Sequence, residues 1–336
     1  MTTIGILANP AAARDVRRLI ARASSISIAE RCAIVQRALT GLGAVGIDRV
    51  LMMFDRGGIV SGLERAIEHH RRDVPLRWPE LEILEMPVTG EARDTLKAVQ
   101  LMRRKDAKVI MVLGGDGTHR LVAHECGTIP LVCISTGTNN VFPEFQESTV
   151  AGIAAGAVAK GLVDRNEVCR QNKRLGIRVN GQPQIGALID ICITSDNWIG
   201  SRAVWRTENL RELYLTFAEP DAIGLSSIGG LLKPVGREAE EGLVIELGPC
   251  DTSRQKLEVP IAPGLIEPVG INGVRRLMME EPGRIRSRSG TVALDGEREI
   301  EFAKNDTVEI VLERDGPLTV DVSKVMKKLA TKGRLS

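Results

Sequence analysis

The chain has 336 residues, 43% hydrophobic and 26% charged, with a formal net charge of +2. This is ordinary globular usage with length for a large core or two domains, so disorder is not expected; the charge is spread along both halves, so neither is a nucleic-acid partner. The N-terminus lacks the basic flank and cleavage site of a signal peptide, and no stretch approaches the ~20 apolar residues of a membrane span, so a cytoplasmic protein with no membrane partner is expected.

In chain order, the first half alternates short apolar runs with amphipathic segments, the pattern of parallel strands joined by crossover helices. Strands are predicted at 3–8, 48–54, 80–86, 108–113 and 131–135, and helices at 30–42, 60–70, 91–104 and 150–162, the last alanine-rich with a narrow contact face. Beyond about residue 170 the texture changes to β-like runs at 174–179, 185–194, 242–247, 256–261, 285–289, 291–294 and 308–312. The expected organisation is an α/β domain with a parallel sheet over 1–168, a β-rich domain over 169–317, and a short basic helix at 322–329 within a segment, 318–336, that packs back on the first domain. The six cysteines are widely spaced and mostly lie inside apolar runs, so they read as reduced core residues.

The most informative stretch is the apolar run 109–113 entering Gly114-Gly115-Asp116-Gly117-Thr118, with a helix predicted at 119–126. Ligands of open α/β sheets bind beyond the carboxyl ends of the strands, and glycines there let backbone N–H groups approach a phosphate. Asp116 is the carboxylate inside that cradle. Beside a polyphosphate it has two uses, holding magnesium or taking the proton of an attacking hydroxyl, and both belong to phosphoryl transfer. An Asp-Gly pair alone is an ordinary turn, but the five-residue string arises by chance in on the order of one chain in a thousand of this length. A second turn, 135–140, follows the next strand, and its Thr138, Asn139 and Asn140 could bond a ribose or phosphate. A third, Leu294-Asp295-Gly296-Glu297, taken alone is a hairpin turn with its carboxylates in solvent.

Other residues have plainer readings. His119 and His124 suit surface or capping positions on the helix after the first turn, and His69 and His70, beside two arginines, look solvated. Trp198 and Trp205 are spaced for packing on one helix face, and the run 284–288 suits one charged face of a strand.

Together the three turns resemble those of the NAD kinases and the diacylglycerol and sphingosine kinases, which carry Gly-Gly-Asp-Gly-Thr, a Gly-Thr-x-Asn-like loop and a late Asp-Gly-Glu or Asp-Gly-Gln. Within that superfamily the chain is similar to the acetoin-catabolism X family, through Asn9-Pro10, 15–19, 114–118, 135–143, 231–237, 263–271 and 294–300. The resemblance implies a Rossmann-like, NAD-kinase-like first domain, a sandwich-like second domain and an active site between them. It also implies ATP and magnesium, with phosphate moved to a small acceptor such as NAD or a polyol-like metabolite. By position, Asp116 would be the base. Asn9, Gly114, Gly115, Gly117, Thr118, Thr138, Asn139 and Asn140 would bind the nucleotide, and Asp190, Asp295 and Glu297 would serve the acceptor or a metal. Two departures stand out: Ala11-Ala12-Ala13 replace the hydroxyl and glycine of the first loop, and Ile189 stands where NAD kinases carry an asparagine. They leave open a non-catalytic nucleotide-binding regulator in acetoin catabolism; a lipid kinase is the third alternative. A β-rich domain with free edges makes a homo-oligomer plausible.

Overall fold

The computed structural model describes residues 1–8, 26–73, 77–137, 140–200, 203–204 and 206–332, without the side chains of 71–73 and 332. The first half runs β1 (Thr3–Ala8), α1 (Ile28–Ala44), β2 (Arg49–Met53), α2 (Ile59–Asp73), β3 (Glu80–Leu84), α3 (Ala92–Arg104), β4 (Ile110–Gly114), α4 (Asp116–Glu125), β5 (Leu131–Ser135), α5 (Ser148–Ala159) and a helical turn, α6 (Arg165–Val168). Strands β3-β2-β1-β4-β5 lie side by side in that order, all parallel. β1 and β4 are buried along their whole length because helices cover both sheet faces. Ile4, Ile6 and Met111 pack with α1 and α5 on one face, and Leu7, Ile110 and Val112 pack with Val99 and Met102 of α3 on the other. The strand order reverses between β1 and β4, so the crevice where such sheets bind ligands lies at the carboxyl ends of these two strands, where the first glycine turn sits.

The alanine-rich α5 is narrow because it touches α1 backbone to backbone. A Cβ added at Gly41 would strike the Thr149 carbonyl, and one at Gly152 the Ala38 carbonyl. Helix α4 starts at Asp116, three residues earlier than the sequence suggests, because Gly115 is its extended N-cap.

After α6 come β6 (Cys169–Gln171), β7 (Arg174–Val179), β8 (Gln182–Ala187), β9 (Asp190–Thr194), β10 (Leu210–Leu215), α7 (Ser226–Leu232), β11 (Glu241–Gly248), β12 (Gln255–Ala262), β13 (Leu265–Met278), β14 (Gly283–Arg284), β15 (Gly290–Leu294), β16 (Glu297–Phe302) and β17 (Val308–Glu313). They form two antiparallel sheets, β12-β13-β11-β10-β9-β15-β16 and β14-β17-β7-β8. Leu175, Ile177, Ile310 and Leu312 of the smaller face Ile191, Ile193, Val292 and Leu294 of the larger, a β sandwich. The expected strand 185–194 is broken, since the amides of 188–190 turn to a carboxylate described below. The expected strand 285–289 is absent: Arg286 and Ser287 turn their amides to buried Glu212, at 2.8 and 3.0 Å.

The chain then returns to the first sheet. β18 (Leu318–Val320) pairs parallel with β5 and antiparallel with β6, and α8 (Val322–Lys332) packs Val325 and Leu329 into the core shared with α1 and α5. All six cysteines are free thiols. Among the described residues no helix is long and apolar enough to cross a membrane.

Candidate active site

The first two turns are packed onto each other, and their glycines serve that packing. Gly114 must be small because a Cβ there would lie 2.6 Å from the Thr118 Cβ. Gly115 and Gly137 approach so closely that a Cβ on Gly137 would lie 2.9 Å from the Gly115 Cα, and one on Gly115 would lie 2.9 Å from the Asn140 Oδ1. Asn140 fills the space between the turns and donates from Nδ2 to Ser135 Oγ at 2.7 Å. Gly117 differs. Its missing side chain faces the Glu297 carboxylate, which a Cβ would meet at an ordinary 3.7 Å.

The three carboxylates of the motifs have different surroundings. Asp116, at the first turn of α4, is buried and accepts from the amides of Val141 at 3.1 Å and Phe142 at 2.9 Å, which ties the glycine turn to the segment after the second turn. Asp295 is buried, not in solvent as expected of a hairpin turn. It adopts a left-handed φ of 48° and accepts from three successive amides, Leu188, Ile189 and Asp190, at 3.1, 2.8 and 3.2 Å. Burial pushes its carboxyl up, against the pull of Arg120 and the three amides. The Glu297 carboxylate, on the strand after the turn, makes no side-chain hydrogen bond or ion pair with the described residues, though its charge adds to those that hold Arg120 protonated, and it looks toward the N-terminus of α4.

Two arginines that sequence reasoning missed bind the halves of the chain together. Arg120, on α4 one turn after Asp116, is 3% exposed, reaches Asp295 at 3.6 Å and makes a paired contact with Glu299. Burial opposes its charge, but Asp295 and Glu299, with a smaller push from Glu297, outweigh it and raise its pKa. Arg237 stacks over Phe217 at 4.1 Å, pairs with Glu219 at 3.1 Å, and donates to the carbonyls of Val141 at 2.8 Å and Phe142 at 3.2 Å. The only sequence signal for Arg120 was its position four residues beyond Asp116, on the same helix face.

The remaining expectations fall out unevenly. Asp190 is buried beside Asp295, and the Ile189 side chain packs with Phe142, Leu188 and Phe217, offering only its amide. His119 is wholly buried, not on the surface. Its Nδ1–H donates to Gly115 O at 2.9 Å, and burial lowers its pKa to about 4, so the ring is neutral. His70 stacks on Trp78 at 3.9 Å, while Trp198 is 78% exposed and lies outside any helix. Asn9, Thr138, Asn139 and Trp205 lie outside the described residues.

Residues 4–162 match the family model of the ATP-NAD kinase N-terminal domain, and residues 173–315 that of the acetoin catabolism protein X C-terminal domain. Acetoin catabolism protein X of Cupriavidus necator strain H16 is 45% identical over 328 residues, spanning 96% of this chain and 91% of that protein. The chain belongs to the acetoin catabolism protein X family. A solved structure described as a diacylglycerol kinase, from Bacillus anthracis strain Sterne, is 14% identical with a TM-score of 0.44, over 95% of this chain and 96% of that one. In this member of the acetoin catabolism protein X family, no group of three or more metal-ligating side chains gathers among the described residues. A magnesium ion keeps most of its waters and leans on substrate phosphates, needing only one or two carboxylates, so one bound with a nucleotide does not require such a group.

Proposed function

We propose that the protein is an ATP-dependent phosphotransferase that moves the γ-phosphoryl group to a hydroxyl of a small metabolite, with NAD or a polyol-like compound as acceptor. The observation that carries this reading is the juxtaposition of the α4 N-terminus with Glu297: a helix start at the switch point of the sheet favours phosphate, and an unpaired carboxylate beside it is available to the acceptor. In this reading the first amides of α4 orient the phosphates, and Glu297 takes the acceptor's proton as its oxygen bonds to the γ-phosphorus and the bond to ADP breaks. A magnesium ion bound with the nucleotide would neutralise the phosphate charge. Asp116, its oxygens engaged by Val141 and Phe142, is a positioning residue here rather than the base that its motif suggests, and Asp295 with Arg120 holds the third turn in place.

A second reading, a nucleotide-binding regulator without turnover, is favoured by Asn140 filling the space between Gly115 and Gly137 and by the apolar Ile189. Magnesium-dependent ATP consumption by the purified protein, with NAD, a polyol panel and diacylglycerol vesicles as acceptors, separates the readings. The phosphotransferase consumes ATP with one soluble acceptor. Consumption only with vesicles supports a lipid kinase, and tight ATP binding with no consumption by any acceptor supports the regulator.

A further inference from the structure

A cavity of about 100 Å³ lies between β5, β6, the start of α8 and the Arg237 loop. Most polar groups on its wall are already satisfied. Arg237 is paired with Glu219. Asp321 caps α8 by accepting from the Lys324 amide at 2.9 Å and has the Lys324 ammonium at 3.6 Å. Asn172 donates to Pro317 O and Thr319 Oγ1, both at 2.8 Å. Burial pushes the Cys133 thiol far up, so it stays protonated and adds no charge.

Arg170, on β6, is the exception. Its guanidinium has no hydrogen bond or ion pair among the described residues, and its Nε–H is buried with no acceptor. Glu144, exposed at the rim, accepts from Gln146 at 3.1 Å but forms no ion pair with Arg170. A buried donor left unmade costs about 1–3 kcal/mol, so a protein that keeps one on a cavity wall has a use for an acceptor there. The guanidinium fork matches carboxylate and phosphate oxygens. The volume falls short of the roughly 300 Å³ or more of nucleotide-sized sites, which limits the occupant to a small metabolite.

We propose that this cavity binds a small hydroxyl-bearing oxyanion, a hydroxycarboxylate or a phosphate monoester, with Arg170 taking the oxyanion and Glu144 accepting from the hydroxyl. The site stands whether or not phosphoryl transfer occurs at Glu297. Calorimetric titration of the full chain with lactate and with glycerol phosphate tests it, on wild type, Arg170→Gln and Arg170→Lys, with far-UV circular dichroism as the check on folding. Saturable binding of one probe is expected, weakened roughly tenfold or more by Arg170→Gln, in keeping with the loss of a charged hydrogen bond, and partly kept by Arg170→Lys, with ATP affinity unchanged in both. Binding of lactate alone identifies a carboxylate site, and of glycerol phosphate alone a phosphate-ester site. If neither probe saturates, or Arg170→Gln binds as wild type does, the proposal is wrong.

Discussion

The two Asp-Gly turns use the same dipeptide for different ends. In Asp116-Gly117 the aspartate begins a helix and reaches across to two amides of the next loop, leaving Gly117 to face the Glu297 carboxylate. In Asp295-Gly296 the aspartate sits at positive φ, takes three amides of the 188–190 segment and is backed by Arg120, so the turn is sealed. A carboxylate surrounded by backbone N–H groups organises the site, and in the proposed reading the one without such bonds, Glu297, is left for chemistry. Motif matching puts the base at Asp116 and leaves Asp295 and Glu297 as interchangeable acceptor or metal candidates; their hydrogen bonds separate the three.

If Asp295 is the more deeply committed of the two aspartates, Asp295→Ala takes away one of the two acids paired with Arg120, leaves three amides unmade and should cost about 3–5 kcal/mol in urea unfolding, as for a broken buried pair. A cost below that of Asp116→Ala would reverse the comparison. The buried His119 ring adds a pH term at the first turn. Its folded pKa of about 4 lies below the ordinary imidazole value of 6.5, so the unfolded chain binds the extra proton between these values and stability falls as pH drops from about 6.5 to 4. The full loss is about 3 kcal/mol, and His119→Leu should flatten that part of the pH–stability curve. A wild-type curve flat over this window would mean that the ring is not buried as described. The glycines sharpen the contrast further. Gly137→Ala forces apart two backbones and should cost about 1–3 kcal/mol, whereas Gly117→Ala meets Glu297 only at ordinary distance and, in the first turn of a helix, should change stability by about 1 kcal/mol or less. Thermal unfolding of both variants reads the difference.

Much of the first half was legible in the sequence because β1, β4 and β5 are mostly apolar runs buried on both faces, and the helix patterns between the strands are regular. The site was legible as a set of turns, since the strand 109–113 and the glycines that follow announce themselves. What failed to show was which way the side chains turn. Nothing local to Leu294-Asp295-Gly296-Glu297 tells that Leu188, Ile189 and Asp190 will surround Asp295, because those residues lie over 100 positions away. β13 escaped notice because Pro268, Gly270 and Gly273 interrupt its apolar pattern, yet it pairs with both β11 and β12 over 14 residues. Arg120 and Arg237 carry little local signal of their roles, because the fold brings Glu299 and Phe217 to them from elsewhere along the chain.

The central claim is that Glu297, not Asp116, carries proton transfer. The most direct measurement compares turnover and unfolding of Glu297→Gln and Asp116→Asn with wild type, under magnesium-ATP and whichever acceptor supports consumption. Glu297→Gln should keep wild-type stability and ATP affinity while losing roughly two to four orders of magnitude in turnover, and Asp116→Asn should lose stability along with activity. Wild-type turnover in Glu297→Gln, with Asp116→Asn fully stable and inactive, would contradict the assignment and return the base to Asp116.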